Sequence, residues 1–192
     1  FCRIIAKLRG PDGCPWDRKQ THELLKPYLI EEAYEVLQAL EEADAKELCE
    51  ELGDLLLQIG LHAQIASEAG EFEMADVLRH VNEKLIRRHP HVFGDLEVAD
   101  VQEVLLNWEE LKRGERETPL LDSVPKDMPA LAYSQIMQQR AARVGFDWRE
   151  IEGVWDKVSE ELKELRQAET HQQRIQEFGD FLLALTSVAR WL

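Results

Sequence analysis

Two acidic stretches in this chain share one spacing. Glu31-Glu32-Ala33-Tyr34-Glu35 is followed by Glu51-Leu52-Gly53-Asp54, and Glu160-Glu161-Leu162-Lys163-Glu164 is followed by Glu177-Phe178-Gly179-Asp180. Carboxylates grouped in this way are the ligands of hard divalent cations. Residues three apart share a helix face, so Glu32 pairs with Glu35 and Glu51 with Asp54. If each copy folds as an antiparallel helical hairpin, Glu35 and Glu51 lie equally far from Ala43, as do Glu32 and Asp54. Glu164 and Glu177, and likewise Glu161 and Asp180, mirror one another about the Thr170–His171 bond. At a rise of ~1.5 Å per residue, the inner and outer pairs of the first copy sit roughly 12 and 16 Å from the turn. The spacing therefore predicts four carboxylates at one level of each hairpin.

In so acidic a chain, a lone Glu-x-x-Glu is most simply a solvated face. Glu41, Glu42, Glu68, Glu71, Glu109 and Glu110 fit that reading. Asp54 and Asp180 do not, because each opens an apolar run, Leu55-Leu56-Leu57 and Phe181-Leu182-Leu183. A buried charge needs a partner or a metal, and few cations are near in sequence. Gly53 and Gly179 weaken a helix, so they predict a close approach by another helix or a ligand. All-oxygen ligation favours Mg²⁺, with Mn²⁺ as the alternative, over zinc or copper. A di-iron bundle needs Glu-x-x-His, and no Glu here has a His three residues later.

Mg²⁺ usually shares its shell with substrate phosphates, so a basic clamp is the expected complement. Lys84, Arg87 and Arg88 form the densest basic cluster, in Asn82-Glu83-Lys84-Leu85-Ile86-Arg87-Arg88. Compensation of a helix dipole would place the same charges there. Trp16 and Trp108 offer faces for a nucleobase, although a lone Trp equally serves a core. His89 and His91 flank Pro90 and read as turn caps rather than ligands.

The elements that must position these groups are all helical. The apolar pattern predicts helices from Thr21 to Glu42, Ala45 to Ala69, Glu73 to His89, Val101 to Arg113, Ala130 to Val144, Ile151 to Glu169, and Gln172 onward. Asp44 is the expected cap of the second, and Arg9 to Asp17 is the expected loop. The proline-rich stretch 115–129 divides a first domain, 1–114, from a second, 130–192. The chain opens at Phe1 and stops within an apolar helical stretch at Trp191-Leu192, which reads as part of a longer protein. With 192 residues, a net charge of −15 and a pI near 4.8, it is not expected to bind nucleic acid generally. No run is long and apolar enough for a membrane span. Three cysteines without C-x-x-C spacing point to a reducing cytoplasm.

Gly13-Cys14-Pro15-Trp16-Asp17, the acidic pairs, Arg87-Arg88-His89-Pro90-His91-Val92-Phe93 and Trp108-Glu109-Glu110-Leu111-Lys112 together closely resemble the MazG family. These are nucleoside triphosphate pyrophosphohydrolases of the all-α NTP pyrophosphatase superfamily, and the resemblance spans nearly the whole chain. It implies a tandem-domain enzyme that uses Mg²⁺ to hydrolyse NTP or dNTP to the monophosphate and pyrophosphate. It also implies a homodimer whose helix pairs complete four-helix bundles. By position, Glu32, Glu35, Glu51 and Asp54 would hold metal in the first copy, and Glu161, Glu164, Glu177 and Asp180 in the second. Glu31 and Glu160 would hold a further ion or orient the attacking water. Asn82, Lys84, Arg87 and Arg88 would grip phosphates, with Trp108 and Lys112 near the nucleotide and Trp16 as a stacking candidate. The second copy has no counterpart of the basic helix or of Trp-x-x-x-Lys within these residues. On sequence, then, only the first copy looks furnished for a nucleotide. The rival reading is a non-catalytic helical dimer that senses nucleotides or scaffolds a partner.

Overall fold

The computed structural model describes residues 1–101, 103–104, 107–108, 111 and 119–192. Among them every regular element is helical, and contacts divide the chain into two units, Phe1–Leu96 and Glu97–Leu192.

The first unit is built on a hairpin of α2 (His22–Glu41) and α3 (Ala45–Ala69). Local chemistry fixes its ends. Thr21 Oγ1 accepts the Leu24 N–H, and Asp44 accepts the Lys46 and Glu47 N–H groups at 2.8 and 3.1 Å. Ala43 takes the left-handed conformation, φ 54°, that lets the chain reverse between the helices. Gly70 ends α3 with φ 73°, the left-handed helix stop that glycine adopts without strain. The expected loop at Arg9 is preceded by a helix the periodicity did not reveal, α1 (Cys2–Arg9), and closes with a 3₁₀ turn at Asp17–Lys19.

Packing explains α1. Ile5, Leu25 and Leu61 are buried together, with Leu57 and Ile65 against them, and each such side chain contributes about 1.5–3 kcal/mol on leaving water. Gly60 allows this contact, since a Cβ there would lie 2.3 Å from Ile5 Cδ1. Arg9 ties the layer together. Its Nε and Nη2 donate to Glu68 at 3.0 and 2.8 Å, and Nη1 donates to the Asp17 and Gln20 carbonyls. Near the start of α2, His22 and His62 share a hydrogen bond at 2.7 Å between their Nδ1 atoms. α4 (Met74–Arg88) follows, and Pro90 begins the short α5 (Pro90–Phe93) after the break at His89.

The second unit repeats the hairpin as α7 (Ile151–Gln167) and α8 (His171–Trp191), preceded by α6 (Ala130–Arg143). Thr170 caps α8 in a reciprocal box with Gln173. Gln138 on α6 donates to the Leu183 carbonyl on α8 at 2.7 Å. Arg140 donates to Leu120 O and Ser123 Oγ, which binds part of the expected 115–129 linker to α6. Of the helix expected from Val101 to Arg113, Val101, Glu103, Val104, Asn107, Trp108 and Leu111 are helical and the rest lie outside the described residues.

Each hairpin leaves large apolar side chains in solvent. Ile30, Tyr34, Leu37, Leu52, Leu56 and Ile59 are exposed in the first, and Trp155, Ile175 and Phe178 in the second. The glycines between the paired acids behave unlike Gly60: a Cβ at Gly53 or Gly179 meets nothing within 4 Å. The close approach expected at these two positions does not come from the described residues of their own units.

Replacing Asp44 by Ala removes both cap hydrogen bonds and is expected to destabilise the first unit by about 1 kcal/mol. Chemical denaturation followed by circular dichroism measures this. An unchanged midpoint would show that the turn is held by packing alone.

Candidate functional site

The turn at Ala43 sets α2 and α3 in the mirrored register that the acid spacing requires. Carboxylate oxygens of Glu32, Glu35 and Glu51 lie within 4.8 Å of one another. Asp54 is close enough for its charge to act on both Glu32 and Glu51. In the second hairpin Glu161, Glu177 and Asp180 converge within the same limit, and the charge of Glu164 acts on Glu177. The eight mirrored carboxylates of the two patterns therefore take part in these crowded groups.

Crowding shows in the electrostatics. Loss of water, followed by the charges of Glu35 and Asp54, raises the Glu51 carboxyl above its usual value. Glu177 is raised likewise, by desolvation and then by Glu164, Asp180 and Glu161. Desolvation also raises Glu32, while a hydrogen bond from Gln58 Nε2 at 3.3 Å works against it. Each cluster thus holds negative charge that its own protein surroundings disfavour.

The depth of burial departs from expectation. Asp54 and Asp180 are only half-buried, and the deeply buried acid is Glu161, 5% exposed. Its counter-ion is Lys157, one turn earlier on α7, with Nζ 2.7 Å from Glu161 and 3.0 Å from Glu160. The hydrogen bonds to Glu161 and then Glu160 hold the ammonium strongly in its charged form. The i,i+4 spacing of Lys157 and Glu161 was the available sequence signal.

Beside this cluster lies a cavity of about 540 Å³, within the range of small-ligand sites. Lys157, Glu161 and Asp180 line it together with Phe146, Trp148 and Arg190. Aligning the acids of the two hairpins shows why it is open. Leu25, Gln58 and Leu61 correspond to Val154, Ala184 and Ser187, each a smaller side chain. In the first unit Leu25 and Leu61 pack on Ile5 and Gln58 bonds Glu32. In the second all three smaller residues line the cavity. Two cations of the second copy, Lys157 and Arg190, also line it, each paired with a carboxylate.

The remaining expected residues are dispersed. Glu31 and Glu160 are exposed beside their clusters. Asn82, Lys84 and Arg87 are exposed on α4 and Arg88 is half-buried there. Trp16 is about half exposed, its ring edge-on to Tyr28 at 5.8 Å. Trp108 is half-buried and belongs to the second unit, and Lys112 lies outside the described residues. His89 donates from Nδ1 to the Leu85 carbonyl at 2.7 Å, the turn-capping role its neighbourhood of Pro90 suggested.

Residues 20–93 match the MazG nucleotide pyrophosphohydrolase domain. The chain is 48% identical over 192 residues to the nucleoside triphosphate pyrophosphohydrolase/pyrophosphatase MazG of Thermotoga maritima, across 98% of this chain and 74% of that protein. It is 44% identical to the nucleoside triphosphate pyrophosphohydrolase of Escherichia coli K12, across 98% of this chain and 76% of that one. It also matches the uncharacterized protein YabN of Bacillus subtilis at 52% identity, over the whole of this chain and 40% of YabN.

The raised Glu177 carboxyl makes its charge a liability to the folded state. The stability it contributes is present when it is protonated and is lost as pH rises through its folded value. With a chelator present, Glu177→Gln is expected to melt above the wild type at pH 7.5. The gap should close as pH falls through the carboxylate range. A variant that melts lower at neutral pH would contradict the crowding.

Proposed function

The chain belongs to the MazG family and is a nucleoside triphosphate pyrophosphohydrolase; from that premise we propose that its activity depends on Mg²⁺ and that the second unit holds the substrate. The observation that carries this reading is the cavity of about 540 Å³ opening onto the carboxylates of Glu161 and Asp180. One wall supplies acids for a cation, the others supply Lys157, Arg190, Phe146 and Trp148.

The donor set suits the ion. Both clusters offer only carboxylate oxygen, three of them within 4.8 Å, which matches Mg²⁺ or Mn²⁺ rather than zinc or copper. Glu161, Glu177 and Asp180, with Glu164 beside them, would hold it in the second unit. Glu32, Glu35, Glu51 and Asp54 would do so in the first. When bound, the ion neutralises phosphate charge and lowers the pKa of a water.

The chain's own groups supply the rest. Lys157 lines the cavity and, once a cation takes Glu161, would balance phosphate charge. Phe146 and Trp148 present apolar faces that suit a nucleoside. Glu160 stands outside the three converging acids and accepts from Lys157. It is the candidate base for the attacking water, as Glu31 is in the first unit. The new bond forms between water oxygen and the α-phosphorus. The bond from that phosphorus to the bridging oxygen breaks, and pyrophosphate leaves. Asn82, Lys84, Arg87 and Arg88 remain the proposed phosphate contacts of the first copy, with Trp16 as a stacking face.

The exposed apolar faces of both hairpins, and the open space before Gly53 and Gly179, support a homodimer in which a second copy covers them. No helix among the described residues is long and apolar enough to cross a membrane, and Cys2, Cys14 and Cys49 are all free. Both facts are compatible with a cytoplasmic site of action.

Release of pyrophosphate from a panel of NTPs and dNTPs, with Mg²⁺ and with a chelator, tests the reading. Mg²⁺ should be required, and Glu177→Gln or Asp180→Asn should lower kcat by at least about 100-fold, the loss expected when a group stabilising transition-state charge is removed. Glu51→Gln should retain most activity. Activity that survives Glu177→Gln but is lost in Glu51→Gln would move the working site to the first unit. Metal binding without release of pyrophosphate would favour the nucleotide-sensing alternative.

A further inference from the structure

One wall of the second cavity is the segment joining α6 to α7. Gly145 ends α6 at φ 85°, and the Gly145 and Phe146 N–H groups donate back to Ala142 O and Ala141 O at 3.0 Å. Such a left-handed helix end favours glycine. Trp148 rests on Gly153, where a Cβ would come within 3.0 Å of the indole Cε3. Between these two fixed points Asp147 is gripped from α8. Arg190 Nη1 donates to Asp147 Oδ2 at 2.9 Å, and Nη2 donates to Oδ1. The Trp148 N–H also donates to Oδ1, at 2.9 Å.

A two-pronged guanidinium–carboxylate contact is directional as well as strong. This one is sheltered, with side chains 15% and 26% exposed. The hydrogen bonds from Arg190 hold the Asp147 carboxyl below its usual value. Both partners line the cavity with Glu161 and Asp180. One helix, α8, therefore carries an acid of the cluster and, ten residues later, the arginine that fixes the facing wall.

The first unit also joins the segment before its hairpin to its second hairpin helix through an arginine–carboxylate pair, at positions that do not align with Asp147 and Arg190. There the arginine, Arg9, belongs to the segment before the hairpin, and the carboxylate, Glu68, to the second hairpin helix.

We propose that Arg190 and Asp147 are positioning residues for the nucleotide in the second unit. Their contact sets the separation between the acid cluster and the Phe146–Trp148 wall, and with it substrate affinity, without reaching the reacting atoms. The inference rests on the reading that the second unit holds the substrate.

The test uses the full chain with Arg190→Gln, Asp147→Asn and the exchange Asp147→Arg with Arg190→Asp. Calorimetry with α,β-methylene-ATP and Mg²⁺ reports affinity, and pyrophosphate release gives KM and kcat. Each single variant should weaken binding and raise KM by about tenfold, a displacement effect of moderate size, with kcat changed by less than about threefold. The exchange should recover most of the loss. Where Arg190→Gln fails to fold, Arg190→Lys, which keeps the charge without the fork, is measured in its place. Folded single variants that bind like the wild type would overturn the proposal, as would a fall in kcat with KM unchanged, or an exchange variant as weak as the singles. Glu177→Gln separates the two levels. If hydrolysis survives that change, the assignment to the second unit fails. If it does not survive while Arg190→Gln binds normally, only the positioning role fails.

Discussion

Like charges held at one level of a helical hairpin are the constraint on which the rest of this structure depends. Each hairpin gathers carboxylates whose lost hydration, followed by mutual repulsion, raises Glu51 and Glu177 above their ordinary values. Such an arrangement persists only where something offsets it. Register is what creates it, since a slip of one residue in either arm rotates its acids by about 100° around the helix. The residues that fix register are accordingly local and specific: Asp44 and Thr170 as caps, and Ala43 in the left-handed turn.

The two units answer the same constraint differently. In the first, Gln58 bonds Glu32, and Ile5 of α1 packs against Leu25 and Leu61. In the second, the buried Glu161 takes an internal cation, Lys157. Smaller residues at the matching positions leave space where the first unit is filled. A neutral amide leaves the first cluster's charge in place, whereas an ammonium balances charge. Tandem copies of one pattern thereby carry different local chemistry on the same backbone.

Much of the fold and of the acid geometry could be read from the chain because it obeys short-range periodic rules. The mirrored spacing about Ala43 and about Thr170–His171 needs only the helical repeat and a turn, and both hairpins form there. What could not be read depends on contacts between elements distant in sequence. α1 is short, and it is held by Gly60, some fifty residues away, rather than by its own pattern. At Gly53 and Gly179 the sequence points to a close approach by another helix or a ligand, and nothing in the described residues comes within 4 Å of a Cβ there. Arg190 could not be paired with Asp147 because 43 residues separate them. Lys157, by contrast, was in plain view four residues before Glu161, masked by the many acid–base pairs of a charged helix surface.

Whether the crowded acids exist to hold a cation is tested most directly by counting ions. Mn²⁺ titrated into the metal-free full chain, followed by the loss of its free EPR signal, should show sites in both units. Glu51→Gln with Asp54→Asn should remove one set, and Glu177→Gln with Asp180→Asn the other. Binding unchanged by both pairs of substitutions would contradict the account at its root.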